Sequence, residues 1–218
     1  MIIPNYDPKK KDKDNTKEEV LHPFFKGISR LLLCAPSGGG KTNLLMHILL
    51  SPLIYYDEVI IYSKTIDQDK YVMLDELYNK IAKDNKIKSF HTFTDKEVES
   101  VESLDTKKRK IVIFDDLICA PPKEMKKIVD YFILGRHKKA NCIFLTQSYY
   151  RTPKDIRINC SKFCIFGLPT RREIRSVLAD HANLTEEMFR KNTSGHDFIS
   201  IDRTAKTLSK NIDEELEQ

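Results

Sequence analysis

The residues best equipped for chemistry lie in the octapeptide APSGGGKT, residues 35–42, between the apolar run SRLLLCA and an apolar stretch of helical pattern. Phosphate oxygens need several backbone N–H groups aimed at one spot, and successive glycines let a loop curl tightly enough to supply them. A helix starting directly after such a loop adds the positive end of its dipole. Here Lys41 would reach the terminal phosphates of ATP, and the Thr42 hydroxyl would bind Mg²⁺. The expected nucleotide contacts are Pro36, Ser37, Gly38, Gly39, Gly40, Lys41, Thr42 and Asn43. Ala35 stands where such loops more often begin with glycine.

A second acidic element supports that chemistry. KIVIFDD, residues 110–116, ends an apolar strand-like run in adjacent carboxylates. An acid at such a strand end holds the Mg²⁺ shell in phosphoryl-transfer sites, which suits Asp115. Asp116 is the candidate to polarise the attacking water, although glutamate is the commoner residue there and a plain turn cap is the simpler role. NCIFLTQ, residues 141–147, ends in Thr146 and Gln147, and Gln147 is the candidate sensor of the terminal phosphate. Charge on the transferring group calls for an arginine in cis or from a neighbour. Arg136 in LGRHKKAN leads, with Arg157, Arg171 and Arg172 as rivals and a solvated basic cluster as the plain alternative.

These groups must be held by an alternation of strands and helices. Strands are expected at 29–35, 57–63, 110–116, 141–147 and 162–167, with a short one at 88–93. Helices are expected at 41–50 and 69–83, and again after Pro121 and Pro122, where Met125, Ile128, Val129, Phe132 and Ile133 would share an apolar face. Gly135 would close that helix in a left-handed conformation. Thr170 and Glu173 form a capping box that opens a helix over 171–181. The alternation predicts an α/β fold with a mainly parallel central sheet flanked by helices. The extra strand at 57–63, between the glycine loop and Asp115, points to the RecA-like (ASCE) branch of P-loop NTPases.

Composition sets wider bounds. The chain has 218 residues and a formal net charge of +5, enough length for one domain with a sizeable core and a mild bias toward polyanion partners. Residues 1–20 read as a flexible charged arm, 21–210 as one ATPase domain and 211–218 as an acidic tail or frayed helix. No apolar run reaches the length of a membrane span, and no signal-peptide pattern opens the chain. The five cysteines include no CxxC pair. Cys34 and Cys142 read as buried hydrophobes, and Cys160 with Cys164 could serve zinc only alongside a nearby histidine.

Together APSGGGKT, IVIFDD and GRHKKANCIFLTQSYYRTPKDIRINCSKF resemble the FtsK–HerA superfamily. Within it the chain is most similar to the genome-packaging ATPases of poxviruses, other nucleocytoplasmic large DNA viruses and virophages, over about residues 28–168. The resemblance implies a Mg²⁺-dependent ATPase forming a homo-oligomeric ring, a hexamer or pentamer, that drives double-stranded DNA into a preformed capsid or capsid membrane vertex. It implies a place in the virion and in the viral factory of the host-cell cytoplasm. It carries Lys41, Thr42, Asp115, Asp116 and Gln147 onto the nucleotide site and Arg136 onto the subunit boundary. Lys138, Lys139, Arg151 and Lys154 are then candidate contacts to the DNA backbone. A RecA- or AAA+-type helicase or remodeller, and a nucleotide-gated capsid adaptor with little turnover, are the competing readings.

Overall fold

A computed structural model of the chain describes residues 22–86 and 90–216. The expected arm over 1–20 and the first two residues of the short 88–93 strand lie outside them. In chain order the elements are β1 (Arg30–Cys34), α1 (Lys41–Leu50), β2 (Glu58–Ser63), α2 (Asp69–Asp84), β3 (His91–Thr94), β4 (Lys110–Asp115), α3 (Pro122–Leu134), β5 (Ala140–Thr146), α4 (Lys154–Asn159), β6 (Lys162–Phe166), α5 (Arg171–Asp180), α6 (Glu186–Asn192), β7 (Phe198–Asp202), β8 (Thr207–Lys210) and β9 (Glu214–Glu215).

The nine strands among the described residues join one sheet in the order β3-β2-β4-β5-β1-β6-β7-β8-β9. The pairings from β3 to β6 are parallel, and those from β6 to β9 are antiparallel. Near-continuous apolar strands such as RLLLC and KIVIFD fit the parallel part, because a parallel sheet is buried on both faces. Period-two alternation then sorts each strand between two cores. Leu31 and Leu33 of β1 pack with Leu45 and Ile48 of α1 and Tyr71 and Leu74 of α2. Leu32 and Cys34 face the other way, toward Ile128 and Phe132 of α3, Ile156 of α4 and Val177 of α5.

Several local expectations change. Gly135 is right-handed, at φ −54°, and the chain runs on through one 3₁₀ turn over Gly135–Lys138. The left-handed residue is Lys139, at φ 53°. Glycine is needed at 135 for close approach instead, since a Cβ there would stand 2.9 Å from Cys142 Sγ. On α3, Ile133 is exposed, and the buried face is completed by Tyr131 and the Glu124 carboxylate, which accepts the Val98 N–H at 3.1 Å. The Thr170 hydroxyl caps α5 by accepting from Glu173 N–H at 3.3 Å, whereas the Glu173 carboxylate turns to the loop after β5. The strand inserted between β1 and β4 is β5. β2, although intermediate in sequence, lies outside β4.

The last segment also differs from its sequence reading. Residues 198–215 add three antiparallel strands, and Glu214–Glu215 pairs with β8 as a short edge strand instead of a frayed helix. No helix among the described residues is long and apolar enough to cross a membrane.

Candidate nucleotide site

The carboxyl ends of β1, β4 and β5 meet at one cleft of about 300 Å³. Parallel sheets place their functional loops there, and the register shows how. The β5 strand holds both neighbours at once. Thr146 O accepts from Ala35 N at 3.1 Å, and Leu145 O accepts from Asp116 N at 3.3 Å. The start of the glycine loop and the acidic pair are thereby fixed on either side of Gln147.

Of the residues singled out by sequence, Ser37, Gly38, Gly39, Gly40, Lys41, Thr42, Asn43, Asp115, Asp116 and Gln147 line this cleft. Pro36 does not. It shapes the loop through its carbonyl, which accepts from Gly39 N at 3.0 Å and from Lys41 Nζ at 3.3 Å. Lys41 Nζ also donates to Ala35 O at 2.8 Å. Burial lowers the Lys41 pKa, while Asp115, Cys34 and Asp116 pull it the other way. Gly40 caps α1 at φ 105°, and a Cβ there would meet the Phe166 ring at 3.2 Å.

Asp115 is buried. Its Oδ2 accepts the Tyr71 hydroxyl at 2.7 Å and the Gln68 amide at 3.5 Å. Burial raises its pKa, the Tyr71 hydrogen bond lowers it, and the Asp116 charge raises it again. Asp116 sits in the left-handed region at φ 55°, a conformation that aspartate tolerates better than most residues. Its Oδ2 accepts the Gln147 Nε2–H at 3.1 Å. The candidate water-polarising group and the candidate phosphate sensor are therefore hydrogen-bonded to one another.

Arg136 is not part of this cleft. It lies at the opposite end of the sheet, where the chain enters β5. Its rivals do not line the cleft either. Arg157 pairs with Asp180, and Arg172 stacks on Tyr150 with its guanidinium 3.7 Å from the ring centre. The four candidate DNA contacts are split. Lys138, paired with Glu102, and Lys139 sit near the amino ends of the strands, while Arg151 and Lys154 follow the carboxyl end of β5. The zinc reading loses its pair, because Cys160 and Cys164 are buried in the cores on opposite faces of the sheet.

Sequence reasoning missed Thr65, Gln68, Lys70 and Tyr71, which follow β2. The first three line the cleft and the fourth holds Asp115. The usable signal was their place after the carboxyl end of a strand. Glu173 was also missed in its actual role. Its carboxylate accepts from Ser148 Oγ and, at 2.8 Å, from Tyr150 N–H, tying the segment after Gln147 to α5.

Relatives agree with this architecture. The family model described as Poxvirus A32 protein matches residues 17–189. The DNA packaging protein OPG160 of Vaccinia virus (strain Copenhagen) is 23% identical over 163 residues, covering 72% of this chain and 58% of the relative. The OPG160 protein of Variola virus is 23% identical over 158 residues, with 70% and 58% covered. The chain thus spans less than two thirds of the length of these curated relatives. Among solved structures, the genome packaging NTPase B204 of Sulfolobus turreted icosahedral virus 2, in complex with ATP-gammaS, superposes with a TM-score of 0.60 at 15% identity, over 84% of this chain and 96% of that one. EssC (ATPases 2 and 3) from Geobacillus thermodenitrificans gives 0.51 at 11% identity, over 84% of this chain and 39% of that one.

Proposed function

Because the chain belongs to the poxvirus A32 protein family, we propose that it is an ATP-driven motor that moves double-stranded DNA into a viral capsid. The observation that carries this reading is the cleft where the Lys41 loop, the Asp115–Asp116 pair and Gln147 converge. The names of its packaging relatives support it.

In this reading the glycine loop and the start of α1 hold the phosphates of ATP. The Thr42 hydroxyl and the Asp115 carboxylate form an oxygen donor set suited to Mg²⁺. That ion would neutralise charge developing on the phosphoryl oxygens. Tyr71 and Gln68 fix the Asp115 carboxylate from behind. Asp116 takes a proton from, or orients, the attacking water, and Gln147 bound to it registers loss of the terminal phosphate. Glu173 passes that change to α5. Arg136, far from its own cleft, would complete the site of an adjacent copy in a homo-oligomeric ring. Residues 21–210 act as one ATPase domain, and the place of action is the viral factory and the virion.

Residues 198–215 extend the sheet by three antiparallel strands instead of building helices. The test is ATP hydrolysis with and without duplex DNA. Lys41→Ala should lower turnover about 10²–10³-fold, the scale of losing one preorganised charge-stabilising donor. Turnover unaffected by Lys41→Ala would end the reading. Nucleotide binding with negligible turnover, with or without DNA, would favour a capsid adaptor. Mixing Arg136→Ala with Lys41→Ala subunits should restore part of the activity lost in each alone, and no restoration would exclude Arg136 acting between copies.

A further inference from the structure

The cleft is furnished for phosphates and a metal ion. Its lining is glycine, ammonium, hydroxyl, amide and carboxylate, with no aromatic or large aliphatic side chain among the described residues that form it. A nucleobase is a flat ring system with an apolar face, and it needs a surface to rest on. That surface must lie outside the cleft, and strand order says on which side. Asp115, Asp116 and Gln147 stand at the ends of β4 and β5, so the terminal phosphate belongs on that flank of β1. The nucleoside end then points the other way, toward β6 and β7.

Two loops meet there. The chain leaves β6 at Gly167 and enters β7 after a turn over residues 194–197, in which Asp197 N–H donates to Ser194 O at 3.1 Å. The loops touch directly, since a Cβ on Gly167 would stand 2.6 Å from Thr193 O. The floor beside the glycine loop is aromatic. Phe166 is buried against Phe198, with ring centres 4.8 Å apart, and it lies 3.2 Å from where a Cβ on Gly40 would be. His196 Nδ1 stands 3.7 Å from that same point. The His196 side chain is exposed and forms no hydrogen bond or ion pair among the described residues.

The neighbouring polar side chains of the turn are already engaged. The Thr193 hydroxyl donates to Phe189 O at 2.7 Å. The Asp197 carboxylate takes the Lys210 ammonium at 3.1 Å and the Asn211 amide at 3.2 Å. Bases are told apart strongly only where the wrong one would leave a buried donor or acceptor unpaired. The turn offers a ring and, among its own side chains, no free buried donor or acceptor. A π-face of that kind accepts any base, the larger ones best.

We propose that His196 is the base platform of the nucleotide site: it stacks the base of a nucleoside triphosphate whose phosphates lie in the glycine loop, favouring purines without choosing adenine over guanine. This platform presupposes the nucleotide reading of the cleft and adds where the nucleoside lies and how loosely its base is selected. It also gives the antiparallel extension a part in the site, because the turn leads into β7.

The test titrates the β,γ-methylene analogues of ATP, GTP and CTP, and inorganic tripolyphosphate, into the wild type, His196→Ala, His196→Phe and Lys41→Ala by calorimetry with Mg²⁺. The wild type should bind the ATP and GTP analogues within about tenfold of each other, and the CTP analogue more weakly. His196→Ala should lower the affinity for the ATP analogue relative to tripolyphosphate by about 5- to 150-fold, the scale of one base–aromatic stack. His196→Phe, which keeps a ring, should restore that ratio. A general loosening of the fold would weaken both ligands together and leave the ratio where it was. An unchanged ratio in His196→Ala, with binding still weakened by Lys41→Ala, overturns the platform and leaves the nucleotide reading standing. His196→Phe as weak as His196→Ala, or a preference for ATP over GTP of about 10²-fold or more, would mean that the base edge is read and would overturn it too. Analogue binding indifferent to Lys41→Ala would overturn the nucleotide reading, and the platform with it.

Discussion

Replacing Tyr71 by phenylalanine tests whether the Asp115 carboxylate is held ionised from behind. The ring remains in its packing between α2 and the sheet, and only the hydroxyl that donates to Asp115 Oδ2 at 2.7 Å is lost. A hydrogen bond to a charged group contributes about 1.5–3 kcal/mol, against about 0.5–1.5 for a neutral pair. For a chain of this size, about 2 kcal/mol corresponds to a fall in Tm of roughly 4–8 °C. The sign with pH follows from the Asp115 pKa, which burial raises and the Tyr71 bond lowers. Tyr71→Phe raises it further, so the ionised carboxylate of the folded state becomes costlier. The loss should therefore be fully present well above the Asp115 pKa, where the wild-type bond is charge-assisted. It should shrink as pH falls through that pKa and the carboxyl protonates. The assay is thermal unfolding of both proteins in metal-free buffer across pH. Equal stability at every pH, or a constant difference independent of pH, would refute the reasoning.

Two further perturbations follow from the same physics. Gly40→Ala forces a Cβ onto a residue at φ 105° and to 3.2 Å from the Phe166 ring. It should cost about 1–3 kcal/mol and weaken ATP binding, as a lower denaturant midpoint and a raised Kd would show. The His181 pKa is pushed down to about 4 by burial and by the Arg203 charge. As a base with a lowered pKa, it contributes stability that is complete above the ordinary histidine value and is lost as pH falls toward 4. Each tenfold weakening of proton affinity is worth about 1.4 kcal/mol, so the loss is about 3 kcal/mol. His181→Phe, which keeps the edge contact to Phe163, should flatten that acid limb by this amount in chemical denaturation. A parallel acid limb would argue against the burial account.

Much of the site was legible because its chemistry needs particular residues at short range. Gly38 to Thr42 line the cleft as consecutive residues, so the loop and its proposed role share a single stretch of sequence. Asp115 and Asp116 were visible as carboxylates at the end of an apolar strand, where burial without purpose would be costly. The parallel strands were legible from apolar runs long enough to need cover on both faces. The antiparallel extension was not, since β7 to β9 are short and their pairing is set by β6, nearly forty residues earlier in sequence.

Sequence alone, then, determined the glycine loop, the acidic pair, Gln147 and the alternation that positions them. Tertiary structure decided which groups meet. β5 enters between β1 and β4 and joins Gln147 to Asp116. Tyr71 arrives at Asp115 from a helix 44 positions away. Arg136 and Lys139, close in sequence to Gln147, stand with Lys26 and Lys107 at the other end of the sheet. The reason is that a strand carries its chain across the whole sheet. The two ends of β5 therefore lie on opposite sides of the molecule, and only strand order shows which distant segments stand beside each.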